Sequence, residues 1–254
     1  VQKLEFGKEL VQQISSHEIF SFSLFGINIP VTDTVIVMWI IMAFLAVFSI
    51  IFTRRLKLIP EGRQNIVETI VEFINNFTKD TVGHHWEHFA PYIGTIFIFL
   101  IISNCISVFA VIPKGEELYR LTHVEFFRNL PDFSIRPPTK DVNTTMCMAV
   151  MSIIMVVYAG IRFKGFPGWI KSFVEPIPVV LPMKITEYLI RILSLSFRLF
   201  GNILGAFIIM EIVYFLMPAV IPAGLSIYFD LFDGVLQAFI FVFLTSIYIA
   251  EAVE

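Results

Sequence analysis

Apolar positions in this chain come in long uninterrupted runs, and those runs set its architecture. Thr34 to Thr53 carries no charge, with Asp33 before it and Arg54 after it. Phe89 to Pro113, between His88 and Lys114, and Val142 to Ile161, between Asp141 and Arg162, are likewise uncharged. A helix needs about 20 mostly apolar residues to cross a hydrocarbon core of roughly 30 Å, so each run predicts one span. Between the first two, Asn65 to Lys79 sets Ile66, Ile70, Phe73 and Phe77 against Glu68 and Glu72. That stripe predicts an amphipathic helix at the membrane interface.

The last third follows a different pattern. From Lys184 to about Met217 the sequence stays helical and apolar, yet Glu187, Arg191 and Arg198 interrupt it. Pro218, Pro222 and Gly224 then break the helix. A second segment, from about Leu225 to Val253, carries Asp230, Asp233 and Gln237. At 1.5 Å per residue these helices would be roughly 50 Å and 43 Å long, more than a perpendicular crossing needs, so a steep tilt is expected.

The predicted fold is an all-α polytopic membrane protein forming one integral membrane domain over 1–254. It divides into an outer N-terminal segment (1–33), three spanning helices with the interfacial helix (34–161), and a C-terminal hairpin of two long, steeply tilted helices (178–254). Five crossings put the termini on opposite sides. Arg54, Arg55 and Lys57 follow the first span, and Arg162 and Lys164 follow the third. The positive-inside rule then leaves the N-terminus outside and the C-terminus in the cytoplasm.

Composition agrees. The chain is 57% apolar and only 15% charged, where a soluble domain carries about 25% charged residues. A net charge of −3 provides no basic field for nucleic acid. Cys105 and Cys147 both fall in apolar runs, which argues against a disulfide-stapled secreted module. No cleavable signal peptide is expected, since the first thirty residues lack a basic start followed by an apolar core. His84, His85 and His88 do not make a HExxH pattern and read as an interface turn, and His17 and His123 carry no signal. Without a GxxxxGK[ST] loop, nucleotide chemistry is expected to lie elsewhere. No metal and no cofactor are expected.

The charges at membrane depth carry the functional signal. An arginine at the centre of a membrane helix costs about 2.5–3.5 kcal/mol on insertion scales, and Arg198 is too far from the Lys184 end to reach the surface easily. Glu187, Arg191, Ser194, Arg198, Asn202 and Gly205 recur every three or four residues, which lines them along one helix face. Asp230, Asp233 and Gln237 do the same on the final segment. Neither stripe can face lipid, so the two are expected to face each other or a water-filled cavity. Glu187 and Arg191, four residues apart, fit a structural pair and a functional role equally.

The run Ser194-Leu195-Ser196-Phe197-Arg198-Leu199-Phe200-Gly201-Asn202 closely resembles the signature of subunit a of F-type ATP synthases. Leu236-Gln237-Ala238-Phe239-Ile240-Phe241 resembles that family's final-helix motif, about forty residues later. Pro138 to Thr145, and Pro91, Thr95, Phe97 and Asn104, agree as well. The resemblance implies a non-catalytic stator subunit of a rotary motor. Two offset half-channels would conduct H⁺ or Na⁺ to and from the carboxylates of a c-subunit ring. It also implies the peripheral stalk subunit b and the rest of the ATP synthase complex as partners, in the bilayer of a bacterial cell. The family's arginine maps onto Arg198, its hydrogen-bonding glutamine onto Gln237 and the nearby asparagine onto Asn202.

Physical chemistry gives that arginine its task. A guanidinium stays charged in any protein environment, so a ring carboxylate beside it is driven to release its ion, while the same charge blocks direct leakage between half-channels. The chain departs from the family at Phe207, where many relatives carry a relay carboxylate or histidine. Glu211, one turn on, with Asp230 and Asp233, is expected to form the outer access path. A carboxylate-rich entrance suits Na⁺ as well as H⁺. Other membrane classes fit less well. The final seventy residues hold no lysine for a retinal-type receptor, no histidine follows His123 for a metalloenzyme, and no internal repeat marks a secondary transporter. A purely structural anchor leaves Arg198 unexplained.

Overall fold

The computed structural model describes residues 18–24, 27–54, 57, 62–109, 137–174, 180–216, 224–225 and 227–254. Most of the long loop from Lys114 to Lys140, the end of the second apolar run at Pro113, and the breaking prolines Pro218 and Pro222 lie outside the described residues. Two short strands, β1 (Glu18–Leu24) and β2 (Ile27–Thr32), pair antiparallel from Glu18↔Thr32 to Leu24↔Ile27. This hairpin was not predicted in the segment 1–33. Its signal is the alternation Phe20-Ser21-Phe22-Ser23, a period of two that suits a strand.

Every element of membrane-crossing length is helical. In chain order these are α1 (Asp33–Thr53), α2 (Arg63–Val82), α3 (Trp86–Phe109), α4 (Val142–Val174), α5 (Leu181–Leu216) and α6 (Gly234–Val253). Among the described residues five stretches are long and apolar enough to cross a membrane: Asp33–Thr53, Gln64–Ile106 (which holds α2 and α3), Val142–Phe173, Leu181–Met210 and Leu231–Val253. The three uncharged runs thus become α1, α3 and the first limb of α4.

Three details differ from expectation. The helix predicted over 65–79 forms as α2, but it runs lengthwise along α3 as its antiparallel partner. Ile74 packs against Gly94, and Phe73 lies 6.4 Å from Phe97 by ring centroids. Its stripe therefore faces protein at Ile74, Thr78 and Val82, which are buried, while Ile66, Ile70 and Phe73 stay exposed. Second, α4 runs past Ile161 and turns at Gly165, whose φ of +72° belongs to the left-handed region that glycine enters freely. Beyond the turn the Trp169 ring rests on Gly160, where an added Cβ would meet it at 2.6 Å. Third, the segment from Leu225 is not one regular helix: Ile227–Asp233 is wound as a π-helix, and α6 begins at Gly234.

The core forms where α3, α4, α5 and α6 meet. Phe89, Ile93 and Leu100 pack with Ala149 and Val156, Leu195 and Leu199, and Ala238, Phe241 and Ile249. Small residues on α4 let the backbones approach, which matters because helices in lipid associate through close packing rather than through exclusion of water. α1 stays outside this core. Among its residues only Thr34 and Ile41 are buried, and Trp39, Phe44, Phe48 and Ile51 are exposed. Its first turn is tied in by the Thr34 hydroxyl, which donates to the Asp141 carboxylate at 3.2 Å. Asp141 also accepts from the Asn143 amide at 2.9 Å, capping the start of α4.

Candidate functional site

The two polar stripes of the sequence meet at two places along α5 and α6. At the first, the Asn202 amide donates to both oxygens of Asp233, at 2.9 and 3.0 Å, and reaches Gln237 Oε1 at 3.3 Å. Asp233 directly precedes Gly234, the first residue of α6. Gln237 is 2% exposed, and its Nε2 has no hydrogen-bond partner among the described residues. A buried amide donor without a partner is costly. Asn202, Asp233 and Gln237 are thus brought together as the stripes require. Glu211 and Asp230 belong to the same expected group, and their side chains lie outside the described residues.

At the second meeting place Arg191 pairs with Glu187 on its own helix and with Glu251 of α6 at 2.7 Å. Its guanidinium also lies 4.5 Å from the centre of the Tyr248 ring and 5.8 Å from that of Tyr188, a cation–π arrangement. Glu187 and Arg191 do pair, which is the structural one of the two readings their spacing left open. Its partner across the hairpin was missed, because a contact sixty residues away leaves no trace in helical spacing. An antiparallel count would have found it: if Asn202 faces Gln237, Arg191 faces Tyr248.

Arg198 sits between these two anchors, roughly 6 Å along the axis from Asn202 and about 10 Å from Arg191. Its side chain is exposed, and among the described residues no acidic group pairs with it. Ile190, Ser194, Gly201, Gly205 and Ile209 follow the same three-and-four spacing along that face, and Ile190 and Ile209 are exposed. A Cβ built on Gly201 or Gly205 would meet nothing within 4 Å. The strip is therefore apolar, shallow over two glycines, and carries one permanent cation.

A third group of polar contacts lies at the end of the bundle that holds the start of α6. Asn104 of α3, 3% exposed, donates from Nδ2 to the Gly234 carbonyl at 2.9 Å and accepts from the Thr139 hydroxyl at 2.8 Å. Thr145 and Ser196 share a hydroxyl contact at 3.2 Å. At Phe207, the position that departs from the family pattern, the Lys140 ammonium lies 3.8 Å from the ring centre. The histidines behave as a turn: His85 stacks on Phe163 at 4.1 Å and His88 meets it edge-on at 5.7 Å. Among the described residues no group of three metal-ligating side chains occurs.

Comparison with known proteins points the same way. The family model described as ATP synthase A chain matches residues 35–250. The chain is 35% identical over 224 residues to "ATP synthase subunit a, sodium ion specific" from Propionigenium modestum, an alignment covering 88% of this chain and 75% of that protein.

Proposed function

Because this chain belongs to the ATP synthase A chain family, a non-catalytic membrane stator subunit of the complex, we propose that its Arg198 strip seats a ring of c subunits and exchanges ions with their carboxylates. One observation carries the proposal: Arg198 is exposed on an apolar, glycine-lined face of α5, one turn from the Asn202–Asp233–Gln237 cluster. A bare guanidinium on such a face is unfavourable in lipid, and a passing carboxylate offsets that penalty. Gly201 and Gly205 let the backbone of a ring helix approach closely.

The mechanism follows from fixed charge. A ring carboxylate carrying its ion arrives from lipid as a neutral group. Beside Arg198 its ionised form is favoured, so the ion leaves into one half-channel. The bare carboxylate passes the guanidinium and reloads from the second half-channel before it re-enters lipid. Asp233, at the end of α6, supplies the oxygen ligands of the outer path, and Asn202 and Gln237 hold that path against Arg198. Glu211 and Asp230 extend it outward. Each charge crossing a potential of 100 mV releases about 2.3 kcal/mol, which the ring converts to rotation and the catalytic sector to ATP. The ion is H⁺ or Na⁺, and the sodium specificity in the relative's name favours Na⁺. Subunit b of the peripheral stalk holds the subunit still against the ring.

The test is the Arg198→Ala complex reconstituted in vesicles. ATP synthesis driven by an ion gradient should be lost, while the detached catalytic sector still hydrolyses ATP. Full coupling without the guanidinium would refute the proposal. Measuring flux with and without Na⁺, in the presence of a protonophore, identifies the ion.

A further inference from the structure

The outer cluster of the ion path depends on an acid, Asp233, at the junction of two windings. Residues Ile227–Asp233 are π-wound and the chain tightens to an α-helix at Gly234. A π-turn is rarely stable alone and is found where a function needs a side chain re-aimed. Something must therefore fix this junction, and Asn104 reaches it.

We propose that Asn104, keyed by Thr139 and admitted by Gly234, is a positioning residue that holds the π-to-α junction in register and so presents Asp233 to Asn202. The proposal rests on the reading of Asp233 as part of the outer access path. Three features carry it. The Asn104 amide has a defined orientation: the Gly234 carbonyl can only accept, at 2.9 Å, so Nδ2 must face it, and Oδ1 takes the Thr139 hydroxyl at 2.8 Å. Asn104 and Thr139 are 3% and 0% exposed, so water cannot replace either bond. Finally, a Cβ at Gly234 would stand 3.0 Å from Asn104 Cβ, so the contact tolerates only glycine without a shift of helix α6 away from α3.

The register matters because it is inherited by the ion path. The held carbonyl belongs to the residue next to Asp233, and Gln237 follows one turn later on the same helix. A rotation of the junction swings both away from Asn202, which now spans them at 2.9 to 3.3 Å. Asn104 acts on Asp233 through the backbone carbonyl of Gly234.

The experiment uses the whole ATP synthase reconstituted in vesicles, with gradient-driven ATP synthesis measured against the concentration of the driving ion on the side of the outer access path. Asn104→Leu and Gly234→Ala are expected to raise the half-saturating ion concentration about 10-fold with a smaller change in maximal rate, the effect typical of losing an outer support of a ligand. Thr139→Val should do the same and Thr139→Ser should restore wild-type dependence, which a simple packing defect would not. If Asn104→Leu does not assemble, the Thr139 pair decides. In the Asp233→Asn background, Asn104→Leu should add nothing. Wild-type dependence in Thr139→Val, or full additivity with Asp233→Asn, would overturn the positioning role alone. No effect of Asp233→Asn itself would remove the access-path reading and the positioning role with it.

Discussion

Asn202 is the residue on which the two stripes hinge, since one amide serves two carboxylate oxygens and a glutamine. Hydrogen bonds to a charged group are worth about 1.5–3 kcal/mol. Asn202→Leu is therefore expected to reduce ion-driven ATP synthesis by roughly 10-fold or more while leaving assembly intact. Asn202→Asp, which sets a second carboxylate against Asp233, should be worse than the leucine variant. Rates of synthesis in vesicles at equal subunit content would check both, and an aspartate variant as active as wild type would contradict the contact. The sequence showed this trio because a period of three or four residues survives folding of a single helix. It could not show that Arg198 points outward, since the same period lines Arg198 with residues that face α6.

The hairpin of α5 and α6 is fastened at its far end by Arg191, whose side chain is 12% exposed against 46% and 59% for Glu187 and Glu251. Exposure on the acid side limits what each pair contributes, so Glu251→Gln is expected to lower stability by about 1 kcal/mol or less. Arg191→Ala should do more harm, because it leaves two carboxylates facing each other without their cation. Adding Glu187→Gln to Arg191→Ala should recover part of the loss. Thermal unfolding of the purified complex in detergent reads all three, and equal losses from Glu251→Gln and Arg191→Ala would exclude the shared bridge. At Gly165 the constraint is backbone alone: with φ at +72°, Gly165→Ala is expected to cost roughly 1–2 kcal/mol. Sequence periodicity gave little warning of this turn or of the π-winding, because both change the helix path without changing the apolar composition.

For the whole molecule, sidedness turns on α2. It pairs lengthwise with α3, as a spanning hairpin would, and a sixth crossing would put both termini on one side. Its composition opposes that: Arg63, Glu68, Glu72, Lys79 and Asp80 occur within twenty residues, and a charge at bilayer depth costs several kcal/mol without a partner. By length and composition the stretch Gln64–Ile106, which holds both α2 and α3, is one of five candidates for crossing among the described residues. Arg162 and Lys164 lie at the end of the bundle where α2 turns into α3. The turn at His85 touches Phe163, so the α2–α3 connection lies beside Arg162 and Lys164. The opposite end holds the start of α1 at Thr34, the start of α4 at Asp141 and the start of α6 at Gly234. We propose that the end holding Arg162 and Lys164 faces the cytoplasm, as the positive-inside rule predicts from Arg54, Arg162 and Lys164. With Cys105 and Cys147 replaced by serine, a cysteine at Ser21 should react with a membrane-impermeant thiol reagent in intact cells. A cysteine at Glu254 should react only after the cells are opened. Labelling of both in intact cells would mean that α2 crosses the membrane despite its five charged residues.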